Sequence, residues 1–236
     1  MKLTIVNSGS IGNCYVLHGA KTNIIIELGV TKNKVLQAIG AKEFKKIDFA
    51  LVTHEHLDHI KYFNQFKLPI YTSAGTNQVI KRGKNLEENV YKRIGEWAIL
   101  PFATVHDCRQ GFGYLIGNAI QGKSLVFATD TNKMTRLFQG VQYYAVEANY
   151  DKYIIETNEG LTPNRKKRII DNHMEIGSLA NWLLKCDLKS IKKIILIHES
   201  KANSDPATSK NVIESLVNRP CINTANKMSE VQIIDL

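Results

Sequence analysis

Over its first third the chain alternates apolar and polar residues in short runs, and β-branched stretches recur between turn residues. This patterning predicts strands at 3–7, 14–17 and 23–28, a helix near 33–39, and a buried strand at 49–53. Further along it predicts a helix at 74–81 and strands at 98–105, 113–117, 124–128 and 144–147. The stretch GNAIQGK, Gly117 to Lys123, reads as a hairpin turn. The last third predicts helices at 162–170, 177–186 and 208–216, a buried strand at 193–197 between the last two, and a closing strand at 231–235. Strands mixed with helices in both halves point to an α/β chain whose helices pack outside a layered β core.

Composition narrows this to one body. The chain has 236 residues with 44% hydrophobic content, enough for one sizeable core. No repeat, low-complexity tract or Pro/Gly/Ser linker interrupts it, so the expectation is a single domain over 1–236. The opening MKLTIVNSGSIGNC lacks the continuous apolar run of a signal peptide or membrane span, which predicts a cytoplasmic protein with no membrane partner. Cys14, Cys108, Cys186 and Cys221 show no C-x-x-C spacing, so neither a structural zinc knuckle nor a disulfide framework is indicated. They read as buried or incidental thiols. Nothing in the sequence fixes an oligomeric state. The net charge of +9 is compatible with a polyanionic partner. Its local concentrations are KRGK (Lys81 to Lys84), NRKKR (Asn164 to Arg168) and KSIKK (Lys189 to Lys193). Most such clusters are solvated faces.

One stretch changes the picture. THEHLDH places three of the seven histidines and two carboxylates directly behind the apolar run Ile47 to Val52. In an extended segment residues two apart point the same way, so His54 and His56 can present imidazoles toward one point. Asp58 and His59, where the chain should turn into a helix, can reach a second point a few ångströms away. Imidazole nitrogen and carboxylate oxygen suit zinc, manganese or iron, and the absence of cysteine argues against a closed structural zinc site. Four residues cannot fill two coordination shells, so further ligands are expected at strand ends. His106 follows 99–105, Asp130 follows SLVFAT, and His198 follows KKIILI.

THEHLDH, VHD at His106, ATDT at Asp130 and IHES at His198 resemble successive motifs of the metallo-β-lactamase superfamily. The resemblance implies a four-layer αβ/βα sandwich with two divalent metal ions at one edge. By it, His54, His56 and His106 hold one ion, Asp58, His59 and His198 the other, and Asp130 bridges. AVEANYD (Ala145 to Asp151), RKKRIIDNHMEIGSLANWL (Arg165 to Leu183) and NSGSIGNCYVL are similar to the EANHD, K-x-R-I…GHLSN and SGSSGNCYLI segments of the YycJ (WalJ) subfamily. That subfamily is associated with DNA end resection. Glu147 and His173 stand where the related tRNase Z enzymes carry a proton-transfer pair beside the metals. The interval from Asp130 to His198 leaves no room for the inserted domain of the β-CASP nucleases.

The chemistry gives that pair a reason of its own. Cleaving a phosphodiester needs an activated water, charge neutralisation on the phosphoryl oxygens and a proton for the departing oxygen. The expectation is therefore a dinuclear phosphodiesterase, a nuclease or exonuclease acting on DNA or RNA through a metal-bridging hydroxide. Asp58 and Asp130 would hold metal and orient that hydroxide, His173 would protonate the leaving oxygen, and Glu147 would steer His173. Arg165, Lys166, Lys167, Arg168 and Ser200 are the candidate substrate contacts. The alternative keeps the metals and takes a small molecule: a cyclic nucleotide, thioester or lactone. A third reading is a regulatory binding module without turnover. Departures from the subfamily pattern lie around the ligands. Glu27 in IELG replaces a supporting aspartate, DNHMEIG loses a serine that would cap the next helix, Asn132 replaces a glycine, and IHESKANSDP keeps Ser200 but loses an ENN run.

Overall fold

The computed structural model describes residues 1–223 and 231–236. Its strands form two mixed sheets flanked by helices. The chain divides into two compact units, one holding 1–103, 108–124 and 231–236, the other 104–107 and 125–223.

In the first unit the predicted strands appear as β1 (Lys2–Asn7), β2 (Cys14–His18), β3 (Asn23–Ile26) and β4 (Ile47–Leu51). The sheet is completed by β5 (Ile70–Thr72), β6 (Lys84–Asn85) and β14 (Gln232–Asp235), in the order β14-β1-β2-β3-β4-β5-β6. The steps from β14 to β3 are antiparallel and those from β3 to β6 parallel. The parallel half needs crossovers. They are α1 (Lys32–Phe44), the short α2 (Leu57–Ile60) and α3 (Ala74–Ile80). Thr31 and Ser73 cap α1 and α3 through their hydroxyls. The predicted end of α1 near Ile39 falls at a kink, where Gly40 has φ +77° before the helix resumes to Phe44. Val6, Val16, Ile25, Leu28, Val35, Ala50, Val52, Phe66 and Ile70 form the core under these helices. The antiparallel strands β7 (Lys92–Ile94), β8 (Trp97–Ala103) and β9 (Phe112–Asn118) of the second sheet also belong here.

The second unit carries the parallel strands of that sheet. These are β10 (Lys123–Ala128), whose last residues lie here, then β11 (Tyr143–Glu147), β12 (Lys193–Ile197) and β13 (Cys221–Asn223). Their runs, LVFA, YYAV and IILI, are buried throughout, as strands covered on both faces must be. The helices are α4 (Lys152–Thr157), α5 (Pro163–Asn172), α6 (Ile176–Leu183) and α7 (Pro206–Val217). Pro163 at the first turn and the Thr162 cap start α5. The missing serine cap before α6 is replaced by Glu175, whose carboxylate accepts from the backbone N–H of Gly177 and Ser178.

The short elements β5, β6, β7, α4 and β13 are absent from the sequence-level expectations, because two to six residues carry too little periodicity to read. The predicted strand 23–28 ends two residues early, since Glu27 takes a left-handed backbone, φ +66°, that no strand accommodates. Cys14 and Cys186 are buried and Cys108 is half-buried, and none of these three forms a disulfide; the side chain of Cys221 lies outside the described residues.

Candidate metal centre

In the first unit β4 delivers THEHLDH. The chain leaves the strand extended through His56, which caps α2 with φ −63° and ψ 147°, so His54 and His56 fall on the same side before Asp58 and His59 enter the helix. The rings of His54 and His56 are 4.6 Å apart and those of His54 and His59 4.1 Å. His59 Nε2 lies 3.3 Å from Asp58 Oδ2, and its Nδ1 lies 3.4 Å from Glu27 Oε2. Glu27 thus reaches His59 despite its extra methylene. It does so from a left-handed backbone, and its carboxylate also accepts from the Thr53 N–H at 3.2 Å.

The loop before β2 clamps the same residues. Asn13 donates its backbone N–H to the Asp58 carbonyl (2.7 Å) and its amide to Asp58 Oδ2 (3.2 Å), and the amide also lies 3.2 Å from His59 Nε2. Gly29 makes this approach possible: a Cβ there would sit 1.7 Å from the Asp58 carbonyl oxygen.

In the second unit the register does the assembling. Glu147 ends β11 opposite Ile197, the last residue of β12, so His198 follows beside it. Ala128 ends β10 opposite Val146, and Asp130 lies two residues beyond. These are the carboxyl ends of parallel strands, where open α/β sheets place their chemistry. Asp130 and His198 both have left-handed backbones, φ +48° and +54°, a strain of about 1–3 kcal/mol each that the surrounding structure must hold. His173, the residue that closes α5, brings its Nδ1–H to Glu147 Oε1 at 2.7 Å. The same oxygen accepts from His198 Nδ1–H at 3.0 Å, while Oε2 accepts from the Thr131 N–H at 2.9 Å. Asp130 Oδ1 lies 3.3 Å from His173 Nδ1 and 3.4 Å from His198 Nδ1. The His173 and His198 rings stack at 5.6 Å, and His106 lies 5.6 Å from His173.

Electrostatics follows from this packing. Burial alone would push the Glu147 carboxyl up, but the His173 imidazole outweighs it and holds the group below its ordinary value. Burial opposes the charged form of His173, and Glu147 more than offsets that, so its pKa is raised. Burial pushes His106 down, and Asp130, Glu147 and the Asn172 carbonyl, which favour its charged form, do not outweigh it.

The donor set fits a divalent cation of borderline hardness. Asp130, Glu147, His173 and His198 each offer a ligand atom within 4.8 Å of the others. The His106 Nδ1–H donates to the Asn172 carbonyl at 3.1 Å, and His198 Nδ1–H to Glu147. Both bonds fix the tautomer whose Nε2 carries the lone pair a metal requires.

A family model described as a beta-lactamase superfamily domain matches residues 28–198, which includes every one of these donors. The chain belongs to this family. Its metallo-β-lactamase fold is also found in YhfI from Bacillus subtilis, a solved structure with a TM-score of 0.74 and 15% identity, covering 98% of both chains. Human tRNase Z, short form, superposes with a TM-score of 0.67 at 13% identity, covering 100% of this chain and 99% of the other. Among curated proteins, the exodeoxyribonuclease WalJ of Streptococcus pneumoniae is 26% identical over 226 residues, 86% of this chain and 83% of its own. These relatives support a metal-dependent hydrolase.

The remaining expected residues of this metallo-β-lactamase-fold chain lie on α5 and after β12. Arg165 and Arg168 are exposed on the helix that ends at His173, with Arg168 Nε 3.7 Å from Asp107 Oδ2. Lys166 Nζ donates to the Glu156 carbonyl, and Lys167 pairs with Asp171 at 3.1 Å. Ser200 Oγ accepts from the Asn203 amide. Several supporting residues escaped the sequence reading: Asn13, Asn149, whose amide donates to the His198 carbonyl at 2.9 Å, and Asn172, whose Oδ1 accepts from the Asp107 N–H. Their only signal was a place inside the stretches that carry the resemblance. Among the described residues, no helix is long and apolar enough to cross a membrane.

Proposed function

We propose that the chain is a phosphodiesterase acting on nucleic acid, an exonuclease on DNA by preference, with His54, His56, Asp58, His59, His106, Asp130 and His198 holding two divalent ions, zinc, manganese or iron. When bound, such ions supply a water-derived nucleophile at neutral pH and neutralise charge on the phosphoryl oxygens. The rest of the work falls to the chain. Asp58, held by Asn13, and Asp130, held on its left-handed turn, keep their carboxylates fixed. His173 protonates the departing oxygen through Nε2 while Glu147 holds its Nδ1–H, and Arg165 and Arg168 meet flanking phosphates along α5. Ser200 offers a further hydroxyl beyond His198.

The observation that carries this reading is the shared oxygen of Glu147, 2.7 Å from His173 and 3.0 Å from His198. One carboxylate steering both a proton donor and a ligand histidine suits a reaction in which a leaving oxygen must be protonated beside a metal. The name of the WalJ relative supports DNA as substrate. The test is purified protein of measured metal content, incubated with end-labelled single- and double-stranded DNA and RNA in manganese or zinc. Mononucleotide release from DNA supports the reading. Turnover of a cyclic nucleotide, thioester or lactone with no nucleic-acid cleavage replaces it, and metal content near zero without turnover ends it.

A further inference from the structure

Of the two carboxylates in THEHLDH, Asp58 is a candidate ligand and Glu55 has no part in the site so far. His54 and His56, on either side of it, bring their rings within 4.6 Å, so along this extended segment Glu55 projects the other way. There it meets residues 109–112 of the same unit. Glu55 Oε1 accepts from the Arg109 N–H at 2.7 Å, and Oε2 from the Thr76 hydroxyl of α3 at 3.4 Å. Two residues back, the Thr53 carbonyl accepts from the Phe112 N–H at 3.0 Å. Segment 109–112 is therefore fastened to the ligand stretch on both sides of His54. The first turn of α3 fastens that segment in turn: the Ser73 hydroxyl donates to the Gln110 carbonyl at 2.6 Å and the Gly75 N–H to Gln110 Oε1 at 3.0 Å. A Cβ on Gly75 would sit 2.7 Å from the Gln110 Cβ, so this contact is close.

We propose that Glu55 is a positioning residue for His54 and His56, holding the pair at the spacing that a shared metal ion requires. The proposal rests on the reading that these histidines take up an ion. Thr53 fixes His54 from one side: its hydroxyl lies 2.9 Å from His54 Nδ1, and its N–H is taken by Glu27. Glu55 fixes the other side. Beyond it, His56 opens α2 without a side-chain bond to the helix, so the tether at Glu55 is what sets the backbone between the two rings. An ionised acceptor on a backbone N–H makes a hydrogen bond of the stronger kind. Its donor sits on a segment already bonded to α3, so the histidine pair is referred to a helix and not to a free loop. Support of this kind from outside the ligand set changes metal affinity about 10- to 100-fold.

The test is affinity for zinc and manganese by chelator competition, with hydrogen exchange at the Arg109 amide in the metal-free protein, under conditions where urea unfolding shows each variant folded. Glu55→Ala is expected to bind about tenfold more weakly and to exchange the Arg109 amide faster. Glu55→Gln, which keeps an acceptor oxygen at the same reach, is expected to restore both. A general loss of stability leaves the affinity of the folded protein alone, so the rescue reads position. Should Glu55→Ala fail to fold, Glu55→Asp takes its place: it keeps the charge, withdraws it by one methylene, and is expected to weaken binding where Glu55→Gln does not. Wild-type affinity in the variant used would overturn the proposal and leave the metal reading intact. Equal weakness in that variant and Glu55→Gln would also overturn it, because charge alone would then account for the effect. A wild-type protein that takes up neither ion would remove the metal reading, and the proposal with it.

Discussion

In the first unit four donor side chains come from one stretch, His54 to His59, and are held largely by neighbouring backbone: the Asp58 carbonyl on Asn13, the Thr53 N–H on Glu27, the bare Cα of Gly29 against Asp58. In the second unit His106, Asp130 and His198 each arrive alone just past a different strand, and side chains do more of the holding: Glu147 between His173 and His198 and the Asn149 amide on the His198 carbonyl, with the Asn172 backbone carbonyl taking the His106 ring. A contiguous run of candidate ligands needs only its loop fixed in shape. Dispersed candidates need the register of the parallel strands and then a carboxylate to set the rings. Damage should therefore differ in kind: packing and folding defects in the first unit, defects of chemistry in the second.

The sharpest separation is His173→Ala. The side chain ends α5, is partly exposed, and bonds only through its ring, so its loss should leave the fold in place. The kcat on DNA is expected to fall about 10²- to 10⁴-fold, the usual scale for a positioned proton donor. Metal content, measured by elemental analysis, should stay near wild type, whereas His54→Ala should lower it. Unchanged kcat for His173→Ala would remove its role and with it the contrast.

Gly29→Ala tests the other side. Its Cβ would fall 1.7 Å from the Asp58 carbonyl oxygen and 2.7 Å from the Asn13 nitrogen, both backbone atoms that cannot rotate away. Overpacking of this kind costs about 1–3 kcal/mol and occasionally more. The midpoint of denaturant unfolding should drop accordingly. A variant as stable as wild type would show that the ligand loop moves freely, and the claim that backbone fit holds it would fail.

The same contrast explains what could be read in advance. The H-x-H-x-D-H segment is legible because its spacing alone implies convergence, and His106, Asp130 and His198 are legible because each follows a buried apolar run. Glu147 and His173 were reachable only through a resemblance, since a strand-end glutamate and a helix-end histidine are common. The bracing groups lay inside stretches that carried the resemblance, but nothing marked their roles. Asn13, Asn149 and Asn172 lie far in sequence from some of what they touch, and an asparagine has no periodicity to betray it. The left-handed backbones of Glu27, Asp130 and His198 were equally hidden, for such φ values are usual for glycine and uncommon elsewhere, for glutamate more than for aspartate or histidine. The longer elements followed from burial runs and their sandwich arrangement from the resemblance, while strands of two or three residues, such as Ile70–Thr72, borrow their form from the neighbours they pair with.

Glu27→Asp asks how finely the first unit is tuned. The carboxylate now reaches His59 Nδ1 at 3.4 Å and the Thr53 N–H at 3.2 Å from a left-handed backbone. Removing one methylene withdraws it from both. Support of this kind typically changes metal affinity 10- to 100-fold, and about tenfold weaker binding is expected, read by chelator competition. Equal affinity would mean that the loop relaxes to follow the shorter side chain.

Glu96 supplies the control, a carboxylate in the first unit that braces backbone with no ligand involved. Its oxygens accept from the N–H groups of Ala20, Lys21 and Thr22 and from the Asn118 amide, at 2.7 to 3.1 Å. Burial pushes the carboxyl up, yet these four donors outweigh it and hold the pKa below the ordinary value. A carboxylate whose pKa is depressed on folding contributes its full stability above the unfolded pKa of about 4.3, and loses it as pH falls through the folded value. Glu96→Gln should therefore cost about 1–2 kcal/mol at neutral pH. The gap between wild type and variant, followed by urea unfolding from pH 7 to pH 3, should narrow below about pH 4. Metal content should stay the same throughout, because Glu96 touches the turn between β2 and β3 and none of the histidines. A gap that stayed constant with pH would show that the turn is held by shape and not by the charge of the carboxylate.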